Sequence, residues 1–225
     1  MGQAIGEMLP AAVGVAISPL PIVAVVLMLV TAKGRVNGPA FLAGWIVGVA
    51  AAGTVVLLLA SVAGATDEGQ PAAWVDWLKL VLGALLVLLA LKQWRGRPHE
   101  GEEPVTPKWM GTLDGFTPPK AGGAGIVLSA LNPKNLLLIV AGATTIAQAG
   151  IPAGEQAVSL AVFVVIASIG VATPVVIYFA LGDRSRELLD RLKTWMARNN
   201  GVIMAVLLLV IGVKLIGDAI SGFSS

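Results

Sequence analysis

The stretch LSALNPKNLLLIV, residues 128–140, decides how this chain is read. It is apolar at both ends, and between them stand Asn132, Pro133, Lys134 and Asn135. Two amides, a helix breaker and a charge are what a membrane span avoids unless they have work to do. The surrounding chain of 225 residues is 56% hydrophobic and only 12% charged, with a mean hydropathy of +0.87. A soluble domain carries about 25% charged residues to cover its surface, so the class is an integral membrane protein.

There is no Cys, which removes disulfides, thiol redox relays and Cys-based zinc sites. The single His, His99, sits between Pro98 and Glu100 in a charged loop without a second ligand pattern, so no metal is expected. No GxxxxGK(S/T) loop is present, which argues against an ATP-driven step within the chain. No cofactor and no nucleic-acid partner is expected.

Charged positions punctuate the chain into six expected spans: about 4–31, within 36–66, about 74–94, about 122–147, within 154–182 and about 201–221. The first starts in a charge-free run, Met8 to Ala32, with no Lys or Arg before it, unlike a signal peptide. The third carries Trp74 and Trp77 at one end and Trp94 at the other, in the manner of an aromatic belt.

Lys and Arg crowd the loops after spans one, three and five, from Lys33 and Arg35 through Arg95, Arg97, Lys108 and Lys120 to Arg184–Arg198. The loops after spans two and four, and the N-terminus, have none; the loop after span two carries Asp67 and Glu68. The positive-inside rule puts the basic loops in the cytoplasm, with both termini outside. Residues 183–199, DRSRELLDRLKTWMARN, set Leu188, Leu189, Leu192, Trp195 and Met196 on one helical face. They are expected as an interfacial helix, or else as a helical extension packed on the protein itself. Residues 96–117 form a Pro/Gly-rich linker in which Trp109, Leu113 and Phe116 have helical spacing.

AISPLPIVAVVLML, residues 16–29, answers the opening stretch. Aligning Ser18 with Ser129 also aligns Leu20 with Leu131 and sets Pro21 opposite Asn132, beside Pro133. Three spans per half is an odd number, so the halves enter the membrane from opposite sides. The expected fold is all-α: six transmembrane helices as two inverted three-helix repeats, 1–95 and 118–225, with broken helices in spans one and four. Inverted repeats with broken helices are a transporter pattern. Pro19, Pro21 and Pro133 each remove a backbone donor, and in lipid the freed carbonyls need protein or a watery cavity. The alternative is that each proline only kinks its helix.

Lys134 stands about 12 residues into its span, a depth of ~18 Å along a straight helix. A charge there costs at least ~2.5–3.5 kcal/mol. No acid lies at that depth. Glu7 and Asp76 are near the outer ends of their spans, Lys79 serves Asp76, and Lys214 and Asp218 are four apart and pair with each other. Lys134 therefore reads as a socket for an anion such as phosphate or carboxylate, with Asn132, Asn135, Ser129 and Ser18 as hydrogen-bonding neighbours. The competing reading has Lys134 snorkel or cap freed carbonyls. Glu7, Asp76 and Asp218 are candidate proton carriers. Gly44 and Gly48 form a GxxxG pair suited to close helix packing or to a homodimer.

LNPKNLLL in the fourth of six spans, paired with a proline break in the first, resembles the lysine-exporter (LysE) superfamily. ISPLPIVAVVLML, PKWMGTLDGFTPPKAGG (107–123) and LSALNPKNLLL, in that order, resemble its Sap or GAP branch, the sulfolipid and peptidoglycolipid addressing proteins of actinobacteria. The resemblance covers nearly the whole chain. It implies a part in moving a lipid or glycolipid from the inner to the outer leaflet toward the envelope, with Ser18, Pro19, Pro21, Asn132, Pro133, Lys134 and Asn135 at the site. Amino-acid exporters tend to carry Gly-Pro in the first span where this chain has Ser18-Pro19-Leu20-Pro21, which argues against an amino-acid cargo.

Three functions follow for comparison: translocation of an anionic lipid, export of amino acids or small organic anions, and a non-transporting role in a lipid-synthesis or export complex docked through 183–199. A lipid carrier needs a lateral opening, whereas a solute exporter needs a polar cavity closed off from lipid. An enzyme is not expected, because the deep spans lack the His, Cys or paired carboxylates that acid–base or nucleophilic chemistry uses.

Overall fold

The computed structural model describes residues 1–62, 73–96 and 115–223, and these are almost wholly helical, without a strand among them. The expected positions of Asp67, Glu68, His99, Lys108, Trp109 and Leu113 lie outside the described residues. In chain order the helices are α1 (Gly2–Ala16), α2 (Pro19–Val30), α3 (Gly34–Val62), α4 (Ala73–Arg95), α5 (Pro118–Ile126), α6 (Pro133–Ala147), α7 (Ala153–Leu181) and α8 (Ser185–Phe223). A π-helical turn, Val127–Leu131, joins α5 to the break before α6.

The α3, α7 and Gly201–Phe223 stretches are each long and apolar enough to cross a membrane. The pairs α1–α2 and α5–α6 pass the same test when each is taken as one bent span, bringing the number to five. This is a multi-pass membrane protein. Its outer surface carries apolar side chains that water would not tolerate in such density, among them Leu59 on α3, Val165 and Val176 on α7 and Val213 on α8.

The core runs through all of the helices. Trp45, Phe41 and Phe163 are its largest buried side chains, with Met8, Leu138 and Met204 around them. Buried Trp45 on α3 donates its indole N–H to the Ala167 carbonyl on α7 at 3.3 Å. Close approach is made by glycine. A Cβ at Gly44 would overlap the Gly122 carbonyl, and one at Gly125 would overlap the backbone of Phe41 and Trp45, so α3 and α5 touch backbone to backbone. The Gly44–Gly48 pair is therefore used inside the chain, not at a surface left for a second copy. On the other side, α4 and α8 cross at Gly83 and Gly212, where a Cβ on either would stand 2.8 Å from the carbonyl of the other.

Residues 183–199, open to reading as an interfacial helix or as a helical extension, run on without a break into the last span. After a 3-10 turn at Gly182–Arg184, α8 runs unbroken for 39 residues, about 58 Å, almost twice an apolar core of ~30 Å. The Asn199–Asn200–Gly201 step reads as a boundary, but it contains no proline, and the Asn199 side chain bonds the Trp195 carbonyl of its own helix at 2.8 Å. On this extension Leu189 is buried, while Leu188 and Trp195 are exposed.

Candidate functional site

The two breaks follow from the missing donors of proline. At the first, Pro19 cannot donate to the Val15 carbonyl, which accepts the Ser18 N–H instead at 3.2 Å. The α1–α2 axis turns by 47° there. At the second, the π turn shifts the backbone toward an i→i+5 register. In that register the donor to the Leu128 carbonyl would be Pro133, which has none. The Asn135 amide supplies it, donating to the Leu128 carbonyl at 2.9 Å. Asn132 is the N-cap of α6, its side-chain oxygen accepting the Lys134 N–H at 3.2 Å. Ser129 donates to the Ile126 carbonyl at 3.0 Å. The α5–α6 axis turns by 62°.

The expected site residues thus divide. Asn132, Pro133 and Lys134 line one pocket of about 210 Å³. Asn135, Ser129 and Ser18 are buried and do not line it; the first two spend hydrogen bonds on the Leu128 and Ile126 carbonyls. Ser18 Oγ and Asn135 Oδ1 are buried without a hydrogen-bond partner among the described residues. Pro19 and Pro21 are buried in the first turn of α2.

The rest of the Lys134 pocket comes from elsewhere in the chain: Leu89, Lys92 and Gln93 of α4, and Leu208 of α8. Lys92 and Gln93 were not anticipated, although Lys92, like Lys134, is a charge within an apolar span. Lys92 lies less than one turn from Arg95 at the end of α4. The ~18 Å depth of Lys134 assumes a straight axis; the 62° bend makes that count an overestimate, and Lys134 shares its pocket with the terminal turn of α4. Lys92 and Pro133 are exposed, as is Leu131 in the break before Pro133 at 67%, so the pocket lies at the protein surface.

The acids lie elsewhere. Asp76 pairs with Lys79 at 3.5 Å, Asp218 with Lys214 at 2.8 Å, Glu187 with Arg191 at 2.7 Å, and Glu155 with the N-terminal ammonium at 3.3 Å. Glu7 accepts from the Gln3 amide at 2.9 Å. None of these carboxylates lines the Lys134 pocket, and neither Lys134 nor Lys92 has an acidic partner among the described residues.

Replacing Asn135 by Leu is expected to destabilise the fold by about 1–3 kcal/mol, the cost of leaving the Leu128 carbonyl unpaired. A thermal melt in detergent reads this loss; an unchanged midpoint would mean that another group reaches that carbonyl.

No curated protein and no solved structure matches the chain. The model of the family described as Sap, sulfolipid-1-addressing protein, matches residues 8–221. That match takes in both helix breaks and every residue of the Lys134 pocket, and the chain belongs to the Sap, sulfolipid-1-addressing protein family.

Proposed function

We propose that this protein translocates an anionic lipid, glycolipid or lipid precursor across the inner membrane toward the envelope, with the charged headgroup carried at Lys134. The observation that carries this reading is a lysine without an acidic partner among the described residues, at a helix break, in a small pocket at the surface with apolar walls from Leu89 and Leu208. A pocket at the surface suits a cargo whose tails stay in the bilayer; a solute exporter would enclose its polar cavity. The family's lipid-addressing description supports the same class of cargo.

The transport architecture in this reading is the LysE-type one: six spans, with α4 as the crossing beyond the five, both termini outside, and two inverted halves. Reciprocal glycine contacts support the inversion. Gly83 seats on Gly212 with Ile216 beside it, and Gly212 seats on Gly83 with Val87 beside it. Gly48 of α3 meets Ser129 at the second break, while Gly170 of α7 meets Ala16 at the first. Each half's long helix thus presses a glycine onto the other half's broken one, as a two-fold axis in the membrane plane requires. Rocking of the halves would then move both breaks together. Glu7, Asp76 and Asp218 are already partnered and lie outside the pocket, which argues against a direct role for them as proton carriers at Lys134.

The test is lipid flipping in proteoliposomes with fluorescent polyprenyl-phosphate and anionic glycolipid probes. Lys134→Gln, at equal folded amounts, is expected to flip at least about tenfold more slowly than the wild type, the loss of one charge-assisted contact. Equal flipping by the variant would leave Lys134 as a structural cap. Amino-acid efflux without lipid movement would favour the solute exporter.

A further inference from the structure

The pocket beside the second break holds two lysines, and only one of them belongs to the broken helix. Lys92 and Gln93 come from α4, Lys134 and Asn132 from the break, with Leu89 and Leu208 as apolar walls. Two lysines line one small pocket, and no carboxylate among its lining residues balances their charge. An anion between them would. Lysine offers a compact point charge with three donors and suits the spread oxygens of a tetrahedral oxyanion, whereas planar carboxylates are matched best by the arginine fork. Gln93 adds an amide to the same wall; the Asn132 side-chain oxygen is already held by the Lys134 N–H. The volume, about 210 Å³, is below the ~300 Å³ at which pockets begin to bury whole small ligands. It suits the charged ester group alone, with the remainder of the ligand lying outside.

We infer that Lys92 and Gln93 of α4 close with Lys134 into a two-lysine clamp for a phosphate or sulfate ester. This deepens the lipid-translocation reading and rests on it for the origin of the ester, but the clamp itself is a binding site and is tested by binding. α4 packs mainly along α8 and touches α6 far less. A clamp spanning the two would therefore be made and broken by any movement of the bent helix relative to the α4–α8 pair.

The experiment titrates the full-length protein, in neutral detergent, with phosphatidic acid, a sulfated galactolipid, inorganic phosphate and phosphatidylcholine, reading binding by native mass spectrometry and calorimetry. Lys92→Gln and Lys134→Gln are each expected to weaken binding of phosphatidic acid about tenfold. Lys92→Arg restores most of it, and Arg95→Gln, one turn on and outside the pocket, leaves it unchanged. Phosphatidic acid held without competition from inorganic phosphate identifies a lipid headgroup as the ligand. Competition at comparable concentration identifies the bare oxyanion. Binding that depends on Lys134 but not on Lys92 overturns the clamp and leaves the Lys134 reading of transport standing. Absence of binding by any oxyanion probe, or binding of zwitterionic phosphatidylcholine equal to that of phosphatidic acid and unchanged in Lys92→Gln and Lys134→Gln, overturns the clamp as well. Lys92 is exposed, so its variants test the site without endangering the fold.

Discussion

Valine at Gly44 is expected to leave no folded protein. A Cβ at this position would overlap the carbonyl of Gly122, and a Cβ at Gly125 would stand 2.7 Å from the Trp45 nitrogen. The obstacle on both sides is main chain, which cannot rotate away as a side-chain tip can. Relief would require α3 and α5 to separate. Two other ties resist that separation: Trp45 is held to Ala167 of α7, and the Asn37 amide donates to the Phe116 carbonyl at 3.1 Å, just before α5. Overpacking a core costs about 1–3 kcal/mol when side chains can shift, and more is expected where they cannot. Against a total stability of about 5–15 kcal/mol, that cost adds to the loss of the backbone contact that lets α5 lie on α3 at all. Gly123, one residue beyond Gly122, faces open space, and Gly123→Val is expected to accumulate normally. Fluorescence-detected size-exclusion profiles of the two variants make the comparison. A Gly44→Val protein that elutes and melts like the wild type would mean that α3 and α5 can part without loss of the fold.

The same glycine shows how far the sequence could be read. The GxxxG spacing at Gly44 and Gly48 announces a close contact but not its partner, because a small-residue stripe serves an internal helix as well as a second copy. The partner is α5, almost 80 residues away. The breaks at Ser18–Pro19 and Asn132–Pro133 were legible because the absence of an N–H is a property of proline itself, independent of what packs nearby. How Asn135 and Ser129 would be used was not legible: both looked like ligands of an anion, and both are occupied by local backbone. Amides near a proline break have an internal demand to meet before they can serve a cargo. Lys92 was missed for the opposite reason. Its place beside Lys134 comes from α4 lying against the broken helix, which sets residues 42 apart around one pocket and which no local pattern encodes. The continuity of α8 was one of two readings left open, because a change from amphipathic to apolar character marks a change of environment, not an end of the helix.

Alanine at Gly48 is expected to destabilise the protein by about 2–3 kcal/mol, and removal of a single oxygen is expected to give much of that back. A Cβ at Gly48 would overlap Ser129 Oγ, with the Ile126 Cα and carbonyl oxygen next nearest at 3.1 Å. The serine oxygen is fully buried and engaged with the Ile126 carbonyl. It can leave only by breaking that bond inside the core, which is why so small a side chain costs so much. Ser129→Ala alone forfeits the bond, at about 1 kcal/mol, since the Ile126 carbonyl is left without the hydroxyl donor. In the double variant the clash with Oγ is gone and the Ile126 contacts need to give only a few tenths of an ångström. Gly48→Ala/Ser129→Ala is therefore expected to melt above Gly48→Ala, although each change alone destabilises. Simple additivity of the two melts would mean that Ile126, not Ser129, limits the approach. Rescue would establish that the second break is seated directly on the first half's longest helix. A displacement of α3 could not then occur without moving the π turn, and the carbonyls and amide that hold Lys134 at its pocket would move with it.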